Sequence, residues 1–174
     1  RDQDLIIIGN NGAKPILRIY ENTVGRNDTE QPFVLEPVDS TVVTFLDFSA
    51  IALVDIDQDG DLDLVSVHGR VLRSPVHSAA DEKDYWNPYA EEDHLYLNDG
   101  AGHFQQQTGG LSLRSGRVEV SRGLAVGDLD QDRREDILLS TRNARMLAFF
   151  RLPGKGVTWR SEPIPNPHGT PHGK

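Results

Sequence analysis

Residues 54–64 read VDIDQDGDLDL, and this stretch decides how the rest of the chain is interpreted. Aspartates stand at 55, 57, 59, 61 and 63, so that five carboxylates fall within nine positions. Like charges this close together repel one another, and a folded chain must balance them with a cation or with solvent. Short β-type runs flank the stretch on both sides. The pattern therefore predicts an acidic loop between two strands.

The acidic stretch occurs twice in the chain. Residues 50–65 read AIALVDIDQDGDLDLV, and residues 123–138 read GLAVGDLDQDRREDIL. Four aspartates coincide when the two segments are aligned: Asp55 with Asp128, Asp57 with Asp130, Asp59 with Asp132, and Asp63 with Asp136. The N-terminus reads as a third, truncated copy, because Asp4 precedes an apolar run as Asp63 does. Repetition of this kind predicts a repeat fold.

Short β-type runs follow each acidic loop in the same order, and none has the length or period of a helix. The predicted runs are 5–9, 63–67 and 136–140, then 16–22, 94–98 and 146–150, then 32–35, 103–108 and 156–160. A further strand precedes each of the two complete loops, which gives eleven strands in groups of three, four and four. Four-stranded units of this size are typical of β-propeller blades.

The sequence thus predicts an all-β fold, a β-propeller segment of about three four-stranded antiparallel blades, the first of which lacks its first strand. The predicted units are residues 1–44, 45–113 and 114–162, followed by a Pro/Gly-rich tail at 163–174. An insertion at 71–93 lengthens the middle blade. Closed propellers have 4–8 blades, so we expect the remaining blades in a longer polypeptide or in other chains.

We call residues 55–63 loop 1 and residues 128–136 loop 2, and count positions from the first aspartate of each. Positions 1, 3, 5 and 9 offer carboxylates, and the backbone carbonyl at position 7 offers one more oxygen. Ca²⁺ takes 6–8 oxygen ligands, whereas Mg²⁺ retains waters and Zn²⁺ favours Cys and His. The predicted calcium ligands are Asp55, Asp57, Asp59, Asp61 and Asp63 in loop 1, and Asp128, Asp130, Asp132, Arg134 and Asp136 in loop 2.

Several alternatives compete with calcium. An EF-hand needs Glu at position 12, where this chain has Ser66 and Leu139. A solvated acidic turn would need no metal, and paired carboxylates could act as general acid and base. Catalysis rarely needs the same loop twice, which favours a ligand set. In loop 2, Arg133 replaces Gly60, so we expect a strained turn or a different one, and Arg133 and Arg134 could partly neutralise the aspartates.

These residues resemble the FG-GAP/VCBS repeat family, the blades of integrin-α-like propellers. The resemblance rests on residues 50–67, on LYLNDGAGHF at 95–104, on residues 123–140 and on residues 5–22. It implies radially arranged antiparallel blades with calcium in the loop between the first and second strands. It also implies an extracellular, periplasmic or secretory-lumen location, and adhesion or protein interaction rather than catalysis. Some members of the family accompany an enzymatic domain.

The composition excludes several classes of function. The net charge is −9, which disfavours nucleic acid and anionic membrane surfaces. No apolar run approaches 18 residues, so the sequence predicts no membrane span. The absence of Cys excludes disulfides, thiol catalysis and thiolate metal sites. We predict a protein that is not an enzyme.

Aromatic residues in the insertion are the candidates for partner binding. Tyr85, Trp86 and Tyr89 are of the types that dominate binding hot spots, although the same cluster could instead pack on the propeller surface. A carbohydrate-binding propeller is an alternative, with Trp86 or Trp159 as a stacking platform. An accessory domain of an enzyme whose catalytic part lies outside this chain is another. The expected partners are a protein, the remaining blades or a glycan.

Overall fold

The computed structural model describes residues 5–10, 15–22, 35–38, 48–69, 91–107, 120–141 and 146–164. Within these residues the chain forms eleven β-strands and no helix, which confirms the predicted all-β class. The strands are β1 (Leu5–Asn10), β2 (Pro15–Asn22), β3 (Leu35–Val38), β4 (Phe48–Val54), β5 (Asp63–His68), β6 (His94–Asn98), β7 (Phe104–Gln106), β8 (Ser121–Gly127), β9 (Asp136–Thr141), β10 (Met146–Arg151) and β11 (Trp159–Ile164).

The strands form three antiparallel sheets in which sequence neighbours are spatial neighbours. The first sheet has the order β1-β2-β3, the second β4-β5-β6-β7, and the third β8-β9-β10-β11. The grouping of three, four and four is the one that the repeat predicts. The arrangement of these sheets as blades of a closed propeller remains a prediction.

The first hairpins of the second and third sheets share their register. Val54 pairs with Asp63 where β4 meets β5, and Gly127 pairs with Asp136 where β8 meets β9. Both hairpins also carry an irregularity at the same place, after Phe48 in β4 and after Ser121 in β8. The structure therefore aligns the two repeats as the sequence does.

The main hydrophobic core lies between the second and third sheets. Alternate residues of a strand face opposite sides of its sheet, and one set from each sheet meets here. The buried members are Val54, Ile56, Val65, Val67 and Leu95 from the second sheet, and Ile137, Leu139 and Phe149 from the third. Leu64 and Tyr96 form a smaller core on the opposite face of the second sheet. Consequently β5 is buried along its whole length.

The predicted bounds of the last strand differ from the observed ones. The sequence favours a strand from 156, but β11 begins at Trp159. Gly154 and Gly156 have φ of 138° and 80°, and the Leu152 N–H donates to the Thr158 carbonyl at 2.9 Å, so these residues form a turn. β3 and β7 likewise differ, at 35–38 and 104–106. The aromatic candidates Tyr85, Trp86 and Tyr89 lie outside the described residues.

Candidate metal centre

Loop 1 gathers three carboxylates. β4 ends at Val54 and β5 begins at Asp63, so the antiparallel hairpin returns the end of the loop to its start. Asp55, Asp57 and Asp63 each offer an oxygen, and these oxygens lie within 4.8 Å of one another. Positions 1, 3 and 9 of the predicted ligand set therefore converge and form a cluster that could hold a metal ion.

Loop 2 gathers the equivalent carboxylates. Asp128, Asp130 and Asp136 also place one oxygen each within 4.8 Å of the others. The aspartates at position 5 lie outside both triplets and bond to the backbone. Asp59 Oδ1 accepts the N–H of residue 61 at 3.0 Å, and Asp132 Oδ1 accepts the N–H of residue 134 at 2.9 Å. Their role as metal ligands, like that of the position-7 carbonyls, remains a prediction.

The two loops use the same turn although their sequences differ at position 6. Gly60 has φ of 98° and Arg133 has φ of 70°, so both lie in the left-handed region. The N–H of Gly60 donates to Asp55 Oδ2 at 3.1 Å, and the N–H of Arg133 donates to Asp128 Oδ2 at 2.9 Å. The left-handed arginine costs on the order of 1 kcal/mol. Of the two expectations, the strained turn is the one observed.

A second left-handed residue precedes each of these turns. Gln58 and Gln131, both at position 4, have φ of 65°. The sequence analysis did not single them out, because glutamine carries no preference for this conformation. Asn and Asp adopt it more readily than other residues, but both loops keep Asp for positions 3 and 5. In both loops the chain then turns back, so that the N–H at position 6 donates to the position-1 carboxylate.

The aspartate at position 9 fixes each loop to its sheet. Asp63 is fully buried, and its two oxygens accept the N–H groups of Ile56 and Asn98, both at 2.9 Å. Asp136 likewise accepts the N–H groups of Leu129 at 2.8 Å and Arg151 at 2.9 Å. In each case one oxygen bonds to the loop and the other to the third strand of the sheet. Each carboxylate oxygen has a further lone pair, so these bonds leave room for a metal.

Unsatisfied oxygens in loop 1 fit a bound cation. Asp55 Oδ1 and Asp57 Oδ1 are buried and have no hydrogen-bond partner within the part of the chain that the structure describes. A buried acceptor without a partner costs about 1–3 kcal/mol, and more when it is charged. Burial raises the pKa of Asp57, and the neighbouring charge of Asp59 adds to it. Burial also raises the pKa of Asp63, against the effect of its backbone hydrogen bonds.

Loop 2 has a partial counterion of its own. Loss of solvent raises the pKa of Asp130, and the charges of Asp132 and Asp136 act in the same direction. The Arg134 guanidinium pairs with Asp132 Oδ2, and both side chains are only 25% exposed. Arg134 Nε also donates to the Arg151 carbonyl at 3.1 Å. Arg134 therefore partly neutralises position 5, outside the carboxylate triplet. The expected neutralisation is confirmed for Arg134 and stays a prediction for Arg133.

Other candidate residues are engaged in packing. Trp159 meets the edge of Phe149, with ring centroids 6.5 Å apart and planes at 86°, and it packs against the main core. No observation on the described residues favours Trp159 as a glycan platform over a packing residue.

A buried polar cluster joins the second and third sheets, and no motif in the sequence indicates it. Asp93 accepts the backbone N–H of His68 at 2.8 Å and the Ser121 hydroxyl at 2.6 Å. The Ser66 hydroxyl lies 2.8 Å from His68 Nε2. Ser, His and Asp are thus close together, but Asp93 bonds to the histidine backbone, and His68, Ser66 and Ser121 are fully buried. The arrangement serves inter-sheet packing.

Comparison with protein-family models, with curated proteins and with solved structures found no match to this chain. The resemblance to FG-GAP/VCBS repeats therefore stands on the sequence motifs alone. Among the described residues, the structure contains no helix long and apolar enough to cross a membrane.

Proposed function

We propose that this chain is a non-catalytic, calcium-binding β-propeller segment that mediates protein interaction or assembly. The observation that carries the proposal is the pair of matched carboxylate triplets, one at the same hairpin of each four-stranded sheet. Ca²⁺ suits such a cage, because it accepts several carboxylates in flexible geometry. When bound, it would neutralise the aspartates and hold each loop in place. Such a fold suits extracellular, periplasmic or secretory-lumen compartments.

Asp55, Asp57 and Asp63 would hold one ion, and Asp128, Asp130 and Asp136 the other. In loop 1, Asp55 Oδ1 and Asp57 Oδ1 are buried oxygens with no hydrogen-bond donor among the described residues, so they are free to coordinate the ion. Asp63 and Asp136 are fully buried, and each already accepts two backbone N–H groups. A carboxylate held in this way is poorly placed to exchange protons with a substrate, which supports a structural rather than a catalytic role.

An uncovered face of the third sheet supports a role in assembly. Ile56 and Leu129 both occupy position 2 of their loops. The third sheet covers Ile56, which is 0% exposed, whereas Leu129 is 46% exposed. Ala125 of β8 is exposed as well. By equivalence with the contact between the second and third sheets, we propose that this face receives another four-stranded sheet of the same repeat.

Calcium binding is tested by isothermal titration of the full chain after EDTA treatment. The proposal predicts binding at two sites and a higher melting temperature in Ca²⁺ than in EDTA. An absence of both heat and melting shift would contradict the metal role. The variant Asp57→Asn assigns the loop 1 site, and Asp130→Asn assigns the loop 2 site.

Assembly is tested by measuring the mass of the calcium-loaded chain in solution. We expect a mass above the 19.3 kDa of a single chain, and Leu129→Ser should lower it without changing calcium binding. Leu152→Ser is the matched control, since Leu152 is also an exposed leucine and directly follows β10 of the third sheet. A stable, well-folded monomer would contradict the assembly role and leave the calcium role intact.

A further inference from the structure

The Arg151 side chain crosses from the third sheet into loop 1. Arg151 ends β10, and the residue is only 5% exposed. Its Nη1 donates to the carbonyl of Ile56 at position 2 of loop 1, and its Nη2 donates to the Gly156 carbonyl at 3.3 Å. Burial of a guanidinium is costly unless its donors are used. Nη1 and Nη2 are used in this way, whereas Nε is buried without a hydrogen-bond partner among the described residues.

The same residue is bonded to loop 2 through its backbone. The N–H of Arg151 donates to Asp136 Oδ1 at 2.9 Å, and the N–H of Ile56 donates to Asp63 Oδ2 at 2.9 Å. The position-9 carboxylates of the two loops are therefore joined by a chain of residues. Asp63 accepts the N–H of Ile56, and the carbonyl of Ile56 accepts from the Arg151 side chain. The N–H of Arg151 in turn donates to Asp136. Every member of this chain is buried.

A second, exposed link joins the loops at their turns. Gln58 Nε2 donates to the Arg133 carbonyl at 2.7 Å. Gln58 and Arg133 are both among the left-handed residues that shape their loops. Two independent contacts thus connect the conformation of loop 1 with that of loop 2.

We propose that Arg151 is a positioning residue that couples the two metal sites, so that an ion in one loop raises the affinity of the other loop for calcium. This inference rests on the proposed function, since it concerns the same two sites. An ion that binds one triplet holds the position-9 carboxylate of that loop. Through Arg151 and the backbone of Ile56, it also orders the N–H group that donates to the position-9 carboxylate of the other loop. The second ion then orders less of the chain and binds more tightly.

Arg151 cannot be a metal ligand, because a guanidinium offers only donors. The equivalent residue of the second sheet is Asn98, whose N–H bonds to Asp63 as that of Arg151 bonds to Asp136. The arginine is therefore a departure from the repeat at the position that faces the neighbouring loop. The effect of Arg151 on calcium binding in loop 1 must therefore act through the backbone of Ile56.

Calcium titration of the full chain tests the coupling, with each loop disabled in turn, both in the unmodified chain and in the Arg151 variants. Asp130→Asn disables loop 2, and Asp57→Asn disables loop 1. Coupling energies are typically 1–3 kcal/mol, so we expect Asp130→Asn to weaken calcium binding at loop 1 by at least about 5-fold, and Asp57→Asn to weaken loop 2 by the same factor. In the background of Arg151→Met, each of these factors should fall to within about twofold of one. Arg151→Lys retains a donor toward Ile56 and should retain the coupling.

The outcomes separate this inference from the proposed function. If the unmodified chain binds no calcium, the proposed function fails. If it binds two ions but Asp130→Asn leaves loop 1 within about twofold, the sites are independent and the inference is wrong. If Arg151→Met weakens both sites but leaves the coupling factor unchanged, the role of Arg151 is merely structural, which also overturns it. Should Arg151→Met fail to fold, the reciprocity of the two single-loop variants decides whether the sites are coupled.

Arg160→Met is the matched control. Arg160 belongs to the same sheet, pairs with Glu162 and lies over the Phe150 ring, and its side chain is 47% exposed. Arg160→Met therefore removes the same charge as Arg151→Met, but from a side chain that contacts Glu162 and Phe150 and not the loops. Calcium affinities and their coupling should remain unchanged in this variant, and a loss of coupling here would assign the effect to net charge rather than to the Arg151 link.

Discussion

Replacing Asp57 with Asn should stabilise the calcium-free chain and remove the response of loop 1 to calcium. Asn has nearly the same shape but carries no charge. Asp57 Oδ1 is buried without a donor, and burial raises the pKa of this carboxyl group. Removal of the charge therefore relieves the metal-free loop. The same change deprives calcium of a carboxylate ligand, so the variant should have opposite effects in EDTA and in Ca²⁺.

The size of the effect follows from the spacing of the triplet. The oxygens of Asp55, Asp57 and Asp63 lie within 4.8 Å of one another. At that distance two unit charges repel by about 1 kcal/mol at the dielectric of water and by about 3.5 kcal/mol at an effective dielectric near 20. Asp57 takes part in two such pairs, one with Asp55 and one with Asp63. Because the loop is in contact with solvent, we use the value for the dielectric of water, which gives a repulsion of about 2 kcal/mol for the two pairs together.

These energies convert to melting temperatures. For a chain of this length, about 1 kcal/mol shifts the melting temperature by roughly 2–4 °C. Asp57→Asn should therefore raise it by roughly 4–8 °C in EDTA. Calcium at about 100 times its dissociation constant should stabilise the unmodified loop by about 2.7 kcal/mol, or roughly 5–11 °C, and Asp57→Asn should lose this gain.

Thermal melts in EDTA and in Ca²⁺, followed by circular dichroism, measure both effects. Asp61→Asn is the control, because it removes one charge from the same loop but leaves the triplet and the position-7 carbonyl in place. It should keep the calcium response. The reasoning is refuted if Asp57→Asn lowers the melting temperature in EDTA, or if it gains as much from calcium as the unmodified chain does.

Three further predictions concern the scaffold of the site. Asp136→Ala leaves the N–H groups of Leu129 and Arg151 without their acceptor and should cost about 2–4 kcal/mol in EDTA, as measured by urea unfolding. The cost in Ca²⁺ should be larger, because a proposed calcium ligand is lost as well; a loss seen only in Ca²⁺ would contradict its anchoring role. Gly123→Ala places a Cβ 2.5 Å from the Ser140 hydroxyl, which must turn to another rotamer, and should destabilise by about 0.5–1.5 kcal/mol; if Ser140→Ala does not relieve this loss in the double variant, the clash with the hydroxyl is not its cause. Burial lowers the pKa of His94 from 6.5, so the unfolded chain binds more protons and stability should fall as the pH drops through about 6.5; His94→Phe should flatten this dependence, and an equally steep slope in the variant would argue against it.

The sequence predicted the parts of the fold that local repetition determines. Asp63 and Asp136 close their loops and also begin β5 and β9, so the aligned aspartates located both strand starts. The predicted start of β11 at residue 156 was wrong, because Gly156 lies in a turn with positive φ and not in an extended strand. Glycine is compatible with either conformation, and the residues around it carry no periodic signal that would decide between them.

The connection between the two loops could not be predicted from the sequence. Arg151 and Ile56 are 95 residues apart, and their contact depends on how the third sheet packs on the second. No local pattern encodes that packing. The turn of loop 2 was also open, because the strain of positive φ in a residue with a Cβ opposes two hydrogen bonds from the turn to Asp128. The structure shows that the hydrogen bonds prevail at Arg133.

The most direct test of the account is an anomalous difference map from crystals grown with calcium. The account predicts one peak 2.3–2.6 Å from oxygens of Asp55, Asp57 and Asp63, and a second at the same distance from oxygens of Asp128, Asp130 and Asp136. Triplets without a peak at saturating calcium would contradict it.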